Sequence, residues 1–268
     1  MSAGAVRALA YEARSVLQTA RGELSPASVG AVAVSGMLAE QLAKELGAGA
    51  VPGSVLVHDA SSVPFADVLV RIIAGEPSEE DEELVDAGDR RGTSVVVVQL
   101  WPQADWTPPF VLSPFVVECR PGKGFPLREI ADRIFEASEH GPLLAARIPV
   151  LNEAIASGVV RQGVLRSAVL GAASSGKGAA ARPLIALEQV RMLARLRAMT
   201  TGPSESDGLP ALAAGAGVAL ASGFVFRGAA RAARGVLPAP VADAAVAAVG
   251  TWVLAKALRV LEARRASS

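Results

Sequence analysis

The sequence predicts an α/β domain, a doubly wound and mostly parallel sheet, followed by an all-α C-terminal domain, and three observations carry that expectation. Short apolar runs alternate with helix-like stretches over the first half, strand-type runs stop after His140-Gly141, and charge divides at the same place. Residues 1–141 hold 20 acidic and 11 basic side chains, and residues 142–268 hold 6 acidic and 15 basic, so a formally neutral chain consists of halves at −9 and +9. An acidic soluble domain joined to a basic, apolar one accounts for that asymmetry.

Residues 1–28 are expected to hold an N-terminal amphipathic helix. Val6, Leu9, Ala13, Val16, Leu17 and Ala20 recur at three- and four-residue steps, with Arg7, Arg14 and Arg21 at heptad spacing. Arg7, Glu12 and Arg14 interrupt any apolar run of the length a signal peptide needs, so secretion is not expected. From Val29 the period changes. Apolar runs at 31–34, 54–58, 68–73, 94–100 and 115–117 read as strands buried on both faces, and helices are expected over 38–46, 78–88 and 126–137. These make up an α/β domain over 29–139. The run Ser78-Glu79-Glu80-Asp81-Glu82-Glu83 sets carboxylates at a helix N-terminus, where they complement the macrodipole; fanned around a helix, they do not converge on a metal.

Beyond Gly141, residues 143–157, 159–170 and 183–199 read as helices, the last with Pro183 in its first turn. The helical domain spans 142–268 and contains two apolar helices, 209–226 and 236–257. The first has no charged residue, and the second is interrupted as far as Ala255 only by Asp243, so both are candidate spans by length. Six alanines and three glycines in 209–226 contribute little transfer free energy, which leaves a buried helical hairpin as the rival reading. Arg227, Arg231 and Arg234 lie between the two segments and Lys256, Arg259, Arg264 and Arg265 follow the second, so charge sets no orientation. Gly215, Ala219 and Gly223, at four-residue steps, permit close helix approach.

Composition narrows the chemistry. Half of the residues are hydrophobic but only 4% aromatic. The basic half has Trp252 and two phenylalanines, without the aromatic-basic interleaving of a nucleic-acid surface, so anionic lipid or a protein partner is favoured over nucleic acid. One cysteine, Cys119, and two histidines cannot form an internal disulfide or, by themselves, a Cys/His zinc site, and a reducing cytoplasmic setting is expected.

The first strand leads through Ser35-Gly36 into a helix, the place of a phosphate-binding loop in an α/β nucleotide-binding domain. Such a loop needs a lysine for the terminal phosphates and a hydroxyl for magnesium, and Met37-Leu38-Ala39-Glu40 supplies neither. Ser35 and Gly36 are therefore expected to form only a weak remnant phosphate site at a helix N-terminus. Gly171-Ala172-Ala173-Ser174-Ser175-Gly176-Lys177-Gly178 fits part of the same pattern but lacks the hydroxyl and the strand before it, so a linker between helices is the better reading. Gly122-Lys123-Gly124 reads as a turn, His58-Asp59 has no nucleophile motif to serve, and Cys119 reads as a small buried hydrophobe rather than a reactive thiol. No catalytic residue, metal site or cofactor is expected, with GTP as the alternative.

With those residues in view, the chain resembles a translation-factor-type small GTPase domain followed by a YcjF-type helical domain of unknown function. The first resemblance covers about 29–139, through Ala66-Asp67-Val68-Leu69-Val70, Gly75 to Asp81, the strand 94–100 and Phe115–Pro126. Gln99-Leu100-Trp101-Pro102 stands where that family reads guanine with Asn-Lys-x-Asp, and the usual Ser-Ala pair after the last strand is missing, so base recognition is expected to be lost. The second covers about 142–263, through Leu143 to Leu151, Pro183-Leu184 with Gln189, Met192 and Leu196, and Gly250 to Leu261. Met199-Thr200-Thr201-Gly202 replaces its usual Tyr-Gly. The resemblance implies a membrane-associated companion of a GTPase-like domain; together with the missing lysine, hydroxyl and guanine-reading motif and the −9/+9 charge split, it leads to the expectation of a non-catalytic interaction scaffold, cytoplasmic and associated with the inner face of the cell membrane. A divergent GTP or ATP hydrolase and a soluble helical adaptor are the alternatives.

Overall fold

The fold is taken from a computed structural model, in which the structure describes residues 31–58, 65–101, 115–173, 182–201 and 232–266. The expected helix over 1–28, the apolar segment 209–226, Asp59 and residues 174–178 lie outside the described residues.

Five strands, β1 (Val32–Gly36), β2 (Val55–Val57), β3 (Val68–Ala74), β4 (Ser94–Leu100) and β5 (Val116–Cys119), form one all-parallel sheet in the order β2-β1-β3-β4-β5. Between and after them lie α1 (Ala39–Leu46), α2 (Glu79–Arg90) and α3 (Leu127–Ala137). The α/β class with a parallel sheet is thus observed.

Parallel register puts Ala33, Leu69 and Val95 on one face. There, with Ile73 and Val97, they pack against Leu84 and Val85 of α2. The opposite face carries Ser94, whose hydroxyl donates to the Ala137 carbonyl at the end of α3 (2.7 Å). Helices on both faces explain why β1, β3 and β4 read as mostly apolar runs rather than as alternating ones. The expectation that all strands are buried on both faces fails at the edges. Leu56 and Val57 of β2 are exposed, and β5 alternates, burying Val117 and Cys119 and exposing Glu118. An edge strand has one neighbour and partial helix cover.

The helix expected over 143–157 is interrupted. Helix α4 (Gly141–Arg147) stops at Ile148, whose backbone is extended, and a 3-10 turn, Pro149–Leu151, follows. A residue before proline is driven out of the helical region by the ring, which is the physical reason for the break. Helix α5 (Asn152–Ala173) then runs without pause through Ser157-Gly158, where two helices were expected. Gly158 is not a breaker: a Cβ there would lie 2.3 Å from the Phe135 ring, so the missing side chain is what lets α3 and α5 touch.

The described residues divide into two compact units, the first ending at Gly158 and the second beginning at Val159. The second contains the rest of α5 with α6 (Arg182–Thr201) and α7 (Ala239–Ala266). Gly163 packs on Met192 of α6, and Gly171 packs on the backbone of Asp243 and Ala244 in α7. Gln189 donates to the Thr251 hydroxyl (3.1 Å), which donates to the Ala247 carbonyl, so the α6–α7 contact satisfies its buried polar groups. Helix α7 begins at Ala239 rather than at Val236, with Pro240 as its second residue, a position where proline costs no hydrogen bond. Among the described residues one helix, Ala239–Glu262, is long and apolar enough to cross a membrane, and only 28% of its most apolar stretch is buried.

Candidate functional site

In open doubly wound sheets, ligands bind beyond the C-terminal ends of the strands where the strand order reverses. Here the reversal lies between β1 and β3, because the chain moves from β1 to one side and returns to the other. Ser35 and Gly36 end β1 at that point.

The connection from β1 to α1 is two residues, Met37 and Leu38. Both are apolar and about half exposed, at 52% and 47%, and Leu38 sits in the left-handed region at φ 61 with no side-chain cap on the helix. Gly36 has φ 99, and a Cβ on it would come within 2.1 Å of the Ile72 carbonyl oxygen. That glycine is needed for the close approach of β1 to β3.

Ser35 is fully buried, and its hydroxyl accepts from Arg71 Nη1 at 3.4 Å. Arg71 stands in the middle of β3. Its Nε and Nη2 both lie 2.8 Å from Asp81 Oδ1, and both side chains are about nine-tenths buried. Asp81 Oδ2 accepts from the Ser78 N–H and hydroxyl, each at 2.8 Å, while Ser78 Oγ caps the Asp81 N–H at 3.3 Å. Burial works to raise the Asp81 pKa, but the hydrogen bonds from Ser78 and Arg71, with the Arg71 charge, outweigh it and hold the carboxyl below its ordinary value. Ser35, Arg71, Asp81 and Ser78 thus form one connected network. The adjoining loop is tied as well: Gly75 N–H donates to Leu100 O, and Gln99 Nε2 donates to Gly75 O at 3.4 Å.

Sequence reading placed Ser35 and Gly36 at this end of the sheet but missed Arg71 and Asp81. Two signals were present: a lone cation inside the apolar run 68–73, and a Ser-x-x-Asp capping pattern at 78–81. The acidic run does open α2, but Asp81 turns inward while Glu79, Glu80, Glu82 and Glu83 stay exposed.

The other candidates lie apart from this network. Gly122-Lys123-Gly124 follows β5, where Lys123 and Gly124 line an open hollow of about 600 Å³ with Val116, Glu118, Arg120, Pro126 and Glu129. Two carboxylates and two cations there leave the hollow with no net formal charge to favour an anion. Cys119 is buried, and burial together with the Glu129 carboxylate pushes its thiol up to about 11, so it stays protonated at neutral pH. His140 Nδ1 lies 3.6 Å from Asp67, and His58 ends the β2 run with its N–H on Val34 O. Gly171, first residue of the second glycine-rich motif, is helical and packed on α7. No group of three or more His, Cys, Asp or Glu residues is placed to hold a metal among the described residues. Comparison with known proteins finds no matching family model, no matching curated protein and no matching solved structure.

Proposed function

We propose that this chain is a non-catalytic, GTPase-like α/β domain joined to a basic helical unit, and that it acts as a membrane-associated interaction scaffold on the cytoplasmic face. The observation that carries the non-catalytic half is the two-residue connection after β1. A phosphate-wrapping loop needs several backbone N–H groups arrayed between strand and helix, and the connection Met37-Leu38 supplies only two. The buried cation at the reversal point does not offer itself to an anion, because Asp81 already neutralises Arg71. Ser35 and Gly36 then serve packing: the hydroxyl completes the Arg71 network, and the glycine lets two strands meet.

The membrane-associated half is supported by the charge of the helical unit. Residues 159–268 hold 14 basic and 5 acidic side chains, which suits an anionic surface. Calorimetry of the full chain with GTP and with ATP, each with magnesium, tests the first half. No heat is expected at concentrations that would reveal a Kd of about 100 μM, roughly 5.5 kcal/mol. Saturable binding of either nucleotide would move a divergent hydrolase to first place.

A further inference from the structure

The exposed side of α7 is apolar along its length. Val241, Val249, Trp252, Val253 and Val260 fall within one arc of about 120° around the helix, Val249 and Trp252 being 58% and 50% exposed. The inner side buries Ala242, Ala247, Thr251, Leu254 and Ala255. Leu254 apart, the helix thus buries small residues and leaves its valines and Trp252 outside. Cations are interleaved with the large ones: Lys256 and Arg259 are exposed, and the Lys256 ammonium stands 5.5 Å from the centre of the Trp252 ring. The two carboxylates of the helix are engaged elsewhere. Asp243 is held by Arg234 at 2.7 Å, and Glu262 accepts from Thr200 at 3.2 Å.

We infer that α7 is an in-plane lipid-recognition helix, lying in the headgroup layer of a bilayer rather than crossing it, and that it selects anionic phospholipid through Lys256 and Arg259. The inference rests on the membrane-associated reading above and specifies its surface, its mode and its lipid class. Length would permit a span, but two observations oppose one. Lys256 and Arg259 both lie inside the stretch that closes at Glu262, Lys256 about 9 Å from its end, so a crossing helix would have to snorkel two cations out of the hydrocarbon. The inner face is also tied to α6 by the Gln189–Thr251 hydrogen bond, and α6 carries Arg191, Arg195 and Arg197, which a crossing α7 would draw into the bilayer. An in-plane helix avoids the second difficulty and eases the first: valines and the indole enter the acyl boundary, and the flexible stems of Lys256 and Arg259, on the same face, have only a short way to reach the phosphates.

The test is flotation of the full chain with phosphatidylcholine vesicles, with and without phosphatidylserine, together with quenching of tryptophan by lipids brominated at different depths. Binding to the serine-containing vesicles should be at least about tenfold tighter, since each cation near an anionic surface contributes roughly fivefold. Lys256→Gln/Arg259→Gln should remove most of that preference with an unchanged circular dichroism spectrum. Bromines near the headgroup should quench more than bromines at the chain ends, and Trp252→Phe should abolish the difference. Equal binding to both vesicles, or strongest quenching at the chain ends, overturns the inference while leaving membrane association standing. Absence of flotation on any vesicle overturns both. A lipid-free dimer that shields Trp252 and does not bind vesicles would assign the face to a second copy of the chain and likewise overturn both.

Discussion

The core of the sheet unit is filled mainly by branched side chains, whereas around α7 in the helical unit much of the contact is made by alanine and glycine. Val32, Val34, Leu69, Val70, Val96 and Val98 are fully or almost fully buried on strands covered by helices on both faces. On α7 the buried residues are mostly alanines, and Gly171 meets the backbone of that helix directly. Close backbone approach gains dispersion contacts but removes little apolar area from water, so each residue of the helical unit contributes less hydrophobic stabilisation. The large apolar side chains left over are on the outside. That difference teaches where to look for function: the large apolar residues the sheet unit exposes, Met37, Leu38, Leu56 and Val57 among them, sit in connections and an edge strand, whereas the helical unit gathers several of its own along one face of α7.

The largest effect that would sharpen the contrast concerns the buried Arg71–Asp81 pair of the sheet unit. Asp81→Ala leaves the Arg71 guanidinium buried opposite Ser35 without its carboxylate and strips the α2 cap of its return hydrogen bond. A loss of about 3–5 kcal/mol is expected from urea denaturation near neutral pH. The sign with pH follows from the lowered Asp81 pKa. Its contribution is fully present above the unfolded value of about 4 and is lost as pH falls through the lower folded value. The gap between wild type and Asp81→Ala should therefore narrow in acid. A gap that holds constant down to about pH 2 would show that the carboxylate charge is not what stabilises the network.

A middle-sized effect separates two glycines in the helical unit. At Gly171 a Cβ would sit 2.7 Å from the Asp243 carbonyl oxygen, which is backbone and cannot step aside, so Gly171→Ala should force α5 and α7 apart and cost about 1–3 kcal/mol. At Gly163 the obstacle is the Met192 sulfur at 2.8 Å, the end of a flexible chain. Gly163→Ala also gains about 1 kcal/mol of helix propensity, so it should come out within about 1 kcal/mol of wild type. Equal melting shifts for the two variants would break the argument that backbone contact holds α7.

How much of this was legible depends on whether the signal is local. The strand–helix alternation was readable because both-face burial writes itself as runs such as Val95-Val96-Val97-Val98. Edge strands were misjudged because β2 and β5 have similar composition, and only the strand order shows which faces lack cover. The glycines misled for a related reason. Gly36 looked like a phosphate glycine and Gly158 like a helix break, yet each answers to a partner far along the chain, Ile72 and Phe135, that no window of sequence contains. The Arg71–Asp81 pair was half legible: its cap pattern is local, while its ion pair joins a strand to a helix. The apolar length of α7 could be counted, but which face is buried, lined by small residues apart from Leu254, appears only once α6 is in place.

The smallest expected effect has the opposite sign and probes that sorting. Ser167 on α5 is fully buried in the helical unit, and its hydroxyl oxygen finds no hydrogen-bond partner among the described residues. A buried hydroxyl without a partner costs free energy that alanine does not, and alanine is also the better helix former. Ser167→Ala should raise stability by about 0.5–1 kcal/mol, read as a higher urea midpoint at unchanged slope. If the helices meet through small residues, the same site should reject bulk, so Ser167→Val should cost about 1–3 kcal/mol despite being more apolar. A stabilising valine would mean that the unit has space to fill, and its cohesion would then be no different in kind from that of the sheet.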